Sequence, residues 1–170
     1  MKTLYLVRHA KSSWKYKELK DIDRPLKKRG KKNADFIAKL LKKNNNIPEL
    51  LISSSAKRAF DTAEIFAKIF KLKQDKIIKN EKLYMADYDD FVAAINEIHE
   101  EINNAMLFGH NPGLTYFACA ITEDDIDNIP TCGIVRIDFD VNSWNELSSR
   151  KGKFVFFEFP KKHKIQGDNN

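Results

Sequence analysis

The chain has 170 residues, 42% apolar, 11% aromatic and 32% charged, with 12 Phe; this describes one globular domain with a sizeable core and excludes disordered, collagen-like and disulfide-scaffold classes. Thirty Lys and Arg against 24 Asp and Glu leave a formal charge of +6, which favours anionic partners without choosing among phosphates, acidic proteins and nucleic acid. No apolar run reaches the roughly 18 residues of a spanning helix, and the run from Leu4 to Val7 is shorter than a signal-peptide core of roughly 7–15 residues, so a cytoplasmic protein without membrane attachment is expected.

The first predicted element, Thr3 to His9, is near-continuously apolar and suits a strand covered on both faces. A polar loop through Asp23, Arg24 and Pro25 leads to a predicted helix from about Leu26 to Lys43, with Ala34, Ile37, Ala38, Leu40 and Leu41 at helical spacing. Leu50 to Ser53 reads as a second buried strand. Ser55 is then a candidate cap for a helix carrying Ala59, Ala63, Ile65, Phe66, Ile69 and Phe70. Lys76 to Lys79 is a weaker third strand, and a helix is predicted over Asp89 to Asn103 with Phe91, Ala94, Ile95, Ile98 and Ile102 inward. Ala105 to Gly109 is the fourth strand, followed by a helix from about Pro112 to Ile121.

From Gly133 to Asp140 the pattern alternates, and Lys153 to Pro160 pairs with it as a closing antiparallel ribbon. The expected fold is therefore α/β: a three-layer sandwich with a mainly parallel central sheet flanked by helices, ending in a C-terminal antiparallel strand pair. Residues 1–160 form one domain in this reading and 161–170 a basic, frayed tail. The lysines of the first helix, Lys27 to Lys43, and of the tail read as solvated surface. Cys119 and Cys132 are expected to be reduced.

Chemistry concentrates at strand ends. Arg8 and His9 close the first strand, Arg58 follows the second and His110 the fourth. In an open α/β sheet the carboxyl ends of the strands share one edge, where ligands bind, so two imidazoles and two guanidinium groups should converge. Guanidinium forks match the oxygens of a phosphoryl group. Neighbouring cations keep an imidazole neutral, and a neutral imidazole is a nucleophile toward phosphorus. Two histidines beside two arginines make a poor metal site, and no metal or other cofactor is expected.

Residues Leu6-Val7-Arg8-His9-Ala10 resemble the signature of the histidine phosphatase superfamily, the phosphoglycerate-mutase-like group, whose usual form has Gly where this chain has Ala10. With Lys11 to Trp14 and Asp21 to Gly30, the sequence looks like the SixA-type phosphohistidine phosphatase branch. Ordered matches continue through residues 54–63, Leu83-Tyr84, residues 108–114, Pro130-Thr131, Trp144 and Phe159-Pro160. The resemblance implies that His9 is the nucleophile that becomes phosphorylated, with Arg8, Arg58 and His110 as the phosphate pocket. It puts Ser12 at a phosphate-contacting position, with a plain loop role as the alternative. Asn111 offers its backbone N–H at a helix start, or simply begins that helix.

Many superfamily members supply a carboxylate proton donor after the third strand. Here that segment, Asn80 to Asp87, offers only Glu81 and Asp87, and neither falls clearly on the acid position. Phosphohistidine tolerates this lack, because a ring protonated at its other nitrogen leaves as neutral imidazole, whereas an alcohol leaves as an alkoxide. The expected substrate is a phosphorylated protein carrying a phosphohistidine domain, or a small phosphorylated compound. A general phosphomonoesterase and a non-catalytic phosphate-binding module are the alternatives. Neither a nucleic acid nor a membrane is an expected partner, and the oligomeric state is left open. His99 and His163 are expected to face solvent, Arg24 and Arg29 to border the pocket or pair on the surface, and Trp14 to line the entrance or pin the loop.

Overall fold

A computed structural model describes residues 1–149 and 151–166. Its centre is a six-stranded sheet in the order β3-β2-β4-β1-β5-β6. The strands are β1 (Lys2–Arg8), β2 (Leu50–Ser54), β3 (Ile77–Asn80), β4 (Asn104–Gly109), β5 (Ile134–Phe139) and β6 (Lys153–Glu158). β1 to β4 are mutually parallel, and β5 and β6 pair antiparallel. The expected three-layer α/β architecture is present.

Side-chain alternation along β1 assigns the two faces. Leu4 and Leu6 point into a cluster with Phe91, Ile95, Leu114, Phe117 and Trp144, which packs α3 (Tyr88–Asn96) and α4 (Gly113–Thr122) on one side. Tyr5 and Val7 point into the opposite cluster with Ile37, Phe66 and Phe108, under α1 (Lys28–Lys43) and α2 (Lys57–Phe70). Among the described residues no helix is long and apolar enough to cross a membrane. Both cysteines are free, and burial pushes the Cys132 thiol up to about 12.

Three local expectations need correction. The third predicted helix ends at Asn96 rather than Asn103, although Ile98 is still buried. Its continuation is pre-empted: the fully buried Lys2 ammonium donates to the carbonyls of Glu100 (2.6 Å) and Ile102 (2.8 Å), and the Trp144 indole N–H donates to Ile102 (2.8 Å). These carbonyls serve distant donors instead of a helical ladder. Ser55 does not cap α2; Ala56 occupies that position without a side-chain cap, and the Ser54 hydroxyl accepts from the Ala56 N–H at 3.2 Å. His163 is half-buried, bonded to Glu158 at 2.6 Å and set against Phe36. The segment read as a tail, 161–170, begins within a 3-10 turn over Pro160–Gln166, and 167–170 lie outside the described residues.

Candidate active site

The carboxyl ends of β1, β2, β3 and β4 deliver the reactive groups to one edge, as topology requires of parallel strands. Arg8 ends β1, Ser54 ends β2 with Arg58 in the first turn of α2, Tyr84 follows β3, and His110 follows β4. The His9 and His110 rings lie 5.1 Å apart between centroids, and Tyr84 stands edge-on to His110 at 5.8 Å. The predicted set of His9, Arg8, Arg58 and His110 is thus gathered in one place.

His9 is held tightly. Its Nδ1 lies 2.7 Å from the Ala10 carbonyl. A carbonyl only accepts, so Nδ1 carries the proton of the neutral ring and Nε2 keeps its lone pair. The backbone is fixed as well: His9 N–H donates to Gly109, and the Cys132 N–H reaches the carbonyls of Arg8 and His9. Cys132 achieves this in a left-handed conformation, φ 63°, unusual for a residue with a β-carbon. The Ala10 N–H donates to Thr62 Oγ1 (3.0 Å), which donates to the Arg58 carbonyl (2.6 Å) and so ties the nucleophile loop to α2.

Both imidazoles are kept neutral. Burial, followed by the charges of Arg58, Arg8 and Arg24, pushes His9 down to about 4 against the opposing pull of the Ala10 carbonyl. Burial and the neighbouring His9 and Arg58 push His110 to about 3. His110 Nε2 contacts the Ser54 hydroxyl at 2.8 Å. Buried Nε of Arg8, Nε of Arg58 and Nδ1 of His110 have no hydrogen-bond partner among the described residues. A multi-oxygen anion fits such a set of groups.

Asp21, unpredicted as a site residue, is the hub of the loop that crosses this edge. Its backbone carbonyl and Oδ2 receive both terminal nitrogens of Arg58, at 2.7 and 3.0 Å, and Tyr84 OH donates to Oδ2 at 2.7 Å. Arg24 Nε lies 3.0 Å from Oδ1, an ion pair rather than an aligned hydrogen bond, with the Arg24 guanidinium 3.4 Å from the Trp14 ring centroid. Trp14 itself is 70% exposed, so it supports Arg24 while facing solvent. Partial burial opposes ionisation of Asp21, but Tyr84 and Arg58 hold it below the usual carboxylate range.

The remaining predicted positions divide. Ser12 is buried next to Leu26 in an isolated antiparallel bridge. The Asn111 side chain is committed to structure: its amide donates to Asn128 (2.7 Å) and Ile129 (3.0 Å), and its oxygen accepts from Thr115 (2.9 Å). Arg8 Nη1 donates to the same Ile129 carbonyl at 2.9 Å. Asp87 caps α3 through a reciprocal box with Asp90, yet also lines an open cleft of about 860 Å³ with Asp21, Arg58, Tyr84, His110 and Tyr116. Glu81 is exposed in the 3-10 turn after β3 and does not line that cleft. Gly113 lets the cleft close, since a Cβ there would strike the Ala86 carbonyl. Of the residues sequence reasoning missed, Ser54 and Tyr84 carry the same strand-end signal as His110; Asp21 and Thr62 carry no such signal and lie only within the segments that bear the family resemblance.

Residues 4–106 match the family model described as histidine phosphatase superfamily (branch 1). The chain belongs to the histidine phosphatase superfamily. It is 28% identical over 161 residues to an uncharacterised chloroplastic protein of Arabidopsis thaliana, covering 88% of this chain and 72% of that one. It is 27% identical over 167 residues to an uncharacterised protein of Mycobacterium leprae, covering 91% and 100%. Among solved structures, a protein described as phosphohistidine phosphatase SixA from Agrobacterium tumefaciens superposes with TM-score 0.79 at 26% identity, over 94% of this chain and 99% of that one. A SixA protein histidine phosphatase complexed with tungstate shares the fold, with TM-score 0.81 at 19% identity over 95% and 99%. Superfamily membership and the SixA-like structure support phosphatase activity.

Proposed function

We propose that this superfamily member is a phosphohistidine phosphatase that works through a phosphohistidine on His9. The observation that carries the reading is the neutral His9 tautomer with Nδ1 bonded to Ala10, beside a cleft in which Arg58 is, among the described residues, the one permanently charged cation and whose far wall is Met85, Tyr88, Tyr116 and Phe117. Asp21 and Asp87 also line it. A small metabolite with a second anionic group would meet two carboxylates and, among the described residues, no second cation, whereas a flat imidazole ring that adds no anionic group meets aromatic walls.

In the first step the Nε2 lone pair of His9 attacks phosphorus in line and the substrate P–N bond breaks. With its other nitrogen protonated, the substrate ring takes the bonding pair and leaves as neutral imidazole. Arg8, Arg58 and His110 hold the equatorial oxygens, and the Ala10 carbonyl keeps the Nδ1 proton as the His9 ring turns cationic. Water then attacks phosphorus, the pair of the P–Nε2 bond returns to His9, and both water hydrogens leave on inorganic phosphate. Asp21, being ionised, supplies no proton to a leaving alkoxide, which supports a good leaving group.

The test compares a phosphohistidine protein, an aryl phosphate and an alkyl phosphate with wild type and His9→Ala. The expected result is rapid turnover of the first two, slow turnover of the third and none by the variant. Fastest hydrolysis of the alkyl ester would overturn the substrate assignment, and an active His9→Ala would overturn the nucleophile.

A further inference from the structure

The other half of the same sheet edge, over β5 and β6, carries a second concavity that the mechanism does not use. Lys28, Arg29, Lys32, Phe36 and His163 line an open groove of about 710 Å³. Through Arg29, Asn33 and Pro160 it continues into a smaller hollow walled by Lys11 and Lys161. Among the described residues, no Asp or Glu lines either hollow. Lys11, Lys28, Arg29, Lys32 and Lys161 form no ion pair among the described residues. Of the nearby carboxylates among the described residues, Glu158 is already paired with Lys162 and His163, and Asp35 with Lys39. Lys28 and Arg29 also stand in the first turn of α1, where the helix dipole disfavours cations, so helix stability does not account for them.

The placement ties this groove to the reaction. Lys11 lies two residues beyond His9, and β6 is two strand spacings from β1 in the sheet order, roughly 10 Å. A protein that delivers a side chain to His9 through the aromatic cleft would cover this distance with an ordinary footprint of about 800 Å². The charges are exposed and spread along one helix face, Lys28 and Lys32 one turn apart with Phe36 a further turn on and 43% exposed. That spacing suits several carboxylates and an apolar side chain better than one phosphate held by convergent buried donors.

We propose that this groove docks an acidic polypeptide segment of the phosphoprotein substrate; the inference rests on the phosphohistidine reading for the identity of that protein. Charge on the segment would raise capture of the protein without touching the phosphoryl group, acting on KM and on its salt dependence.

The experiment uses two matched phosphohistidine peptides, one with a Glu-rich arm and one with the same arm built from Gln, alongside p-nitrophenyl phosphate. Wild type is expected to favour the Glu arm by about tenfold in kcat/KM at low salt, with the preference shrinking as salt rises. Lys28→Glu/Lys32→Glu should abolish the preference while hydrolysing p-nitrophenyl phosphate within about twofold of wild type; an acidic residue at Lys28, in the first helical turn, is favourable and Lys32 is exposed, so the fold is kept. The same charge change at Lys43 and Lys68, exposed elsewhere on α1 and α2, should leave the preference intact. Equal use of both peptides by wild type, or loss of the preference at Lys43 and Lys68 alike, overturns the docking groove. Anisotropy of the unphosphorylated, labelled Glu arm separates the two readings: if neither peptide is hydrolysed but the arm binds and the double variant loses it, the groove stands and the phosphohistidine assignment fails. If tripolyphosphate binds with the same dependence on Lys28 and Lys32 and the Glu arm does not, the groove is a small-anion site and the proposal is wrong.

Discussion

The neutral state of His9 can be tested directly by titrating its ring. An ordinary histidine with a pKa near 6.5 is only about 3% neutral at pH 5; with His9 near 4, about 90% of the ring is neutral there. The shift corresponds to about 3 kcal/mol in favour of the uncharged, nucleophilic form. Burial is the largest cause and the Arg58 charge the largest lowering contribution after it, so Arg58→Met should move the inflection up but not back to 6.5. The assay is long-range proton–nitrogen NMR on labelled protein between pH 8 and 4. His9 should keep an Nδ1–H, Nε2-lone-pair signature down to pH 5, and kcat/KM for an aryl phosphate of low second pKa should hold its plateau over the same range. The same shift has a stability consequence of known sign. Folded His9 and His110 resist protonation that the unfolded chain accepts, so stability is complete above about pH 6.5 and is lost as pH falls toward 4 and 3, at about 2 kcal/mol per ring by pH 5. His9→Ala should therefore lose less Tm between pH 7 and 5 than wild type. An inflection of His9 between pH 6 and 7 would refute the argument, since it would mean that the ring is hydrated and the cations do not act on it.

Two substitutions probe the frame around the nucleophile. Asp21→Asn keeps the shape but removes the carboxylate that engages Arg58 and Tyr84; inorganic phosphate should inhibit about two- to fivefold more tightly, because Arg58 no longer shares its charge, while kcat falls as Arg58 loses its orientation. An unchanged inhibition constant would show that Asp21 and phosphate do not compete for that guanidinium. Thr62→Val keeps a fully buried volume but leaves the Ala10 N–H without its acceptor, at about 1–3 kcal/mol; chemical denaturation should register that loss and kcat should drop with little change in KM, whereas an unaltered kcat would remove Thr62 from the positioning of His9.

What could be read along the chain was whatever depends on local periodicity. Near-continuous apolar runs marked β1, β2 and β4 as buried on both faces, and the residues after them, Arg8, His9, Arg58 and His110, inherited their convergence from parallel topology alone. Periodicity misled where a distant donor intervened: Ile98 and Ile102 continue the spacing of α3, but Lys2 and Trp144 claim the carbonyls of Glu100 and Ile102, and neither partner is visible within that window.

Only the tertiary structure decided the state of the site. The sequence by itself supplied two rings and two guanidinium groups at strand ends and the expectation that cations keep an imidazole neutral; which nitrogen of His9 keeps its lone pair follows from the Ala10 carbonyl and the Cys132 turn, and the largest cause of the ring's uncharged state is its burial. Asp21 reaches Arg58 across 37 residues and receives Tyr84 across 63, contacts set by where loops land rather than by any local pattern. Periodicity is a property of neighbours in the chain, whereas solvation and charge at a buried ring are properties of neighbours in space.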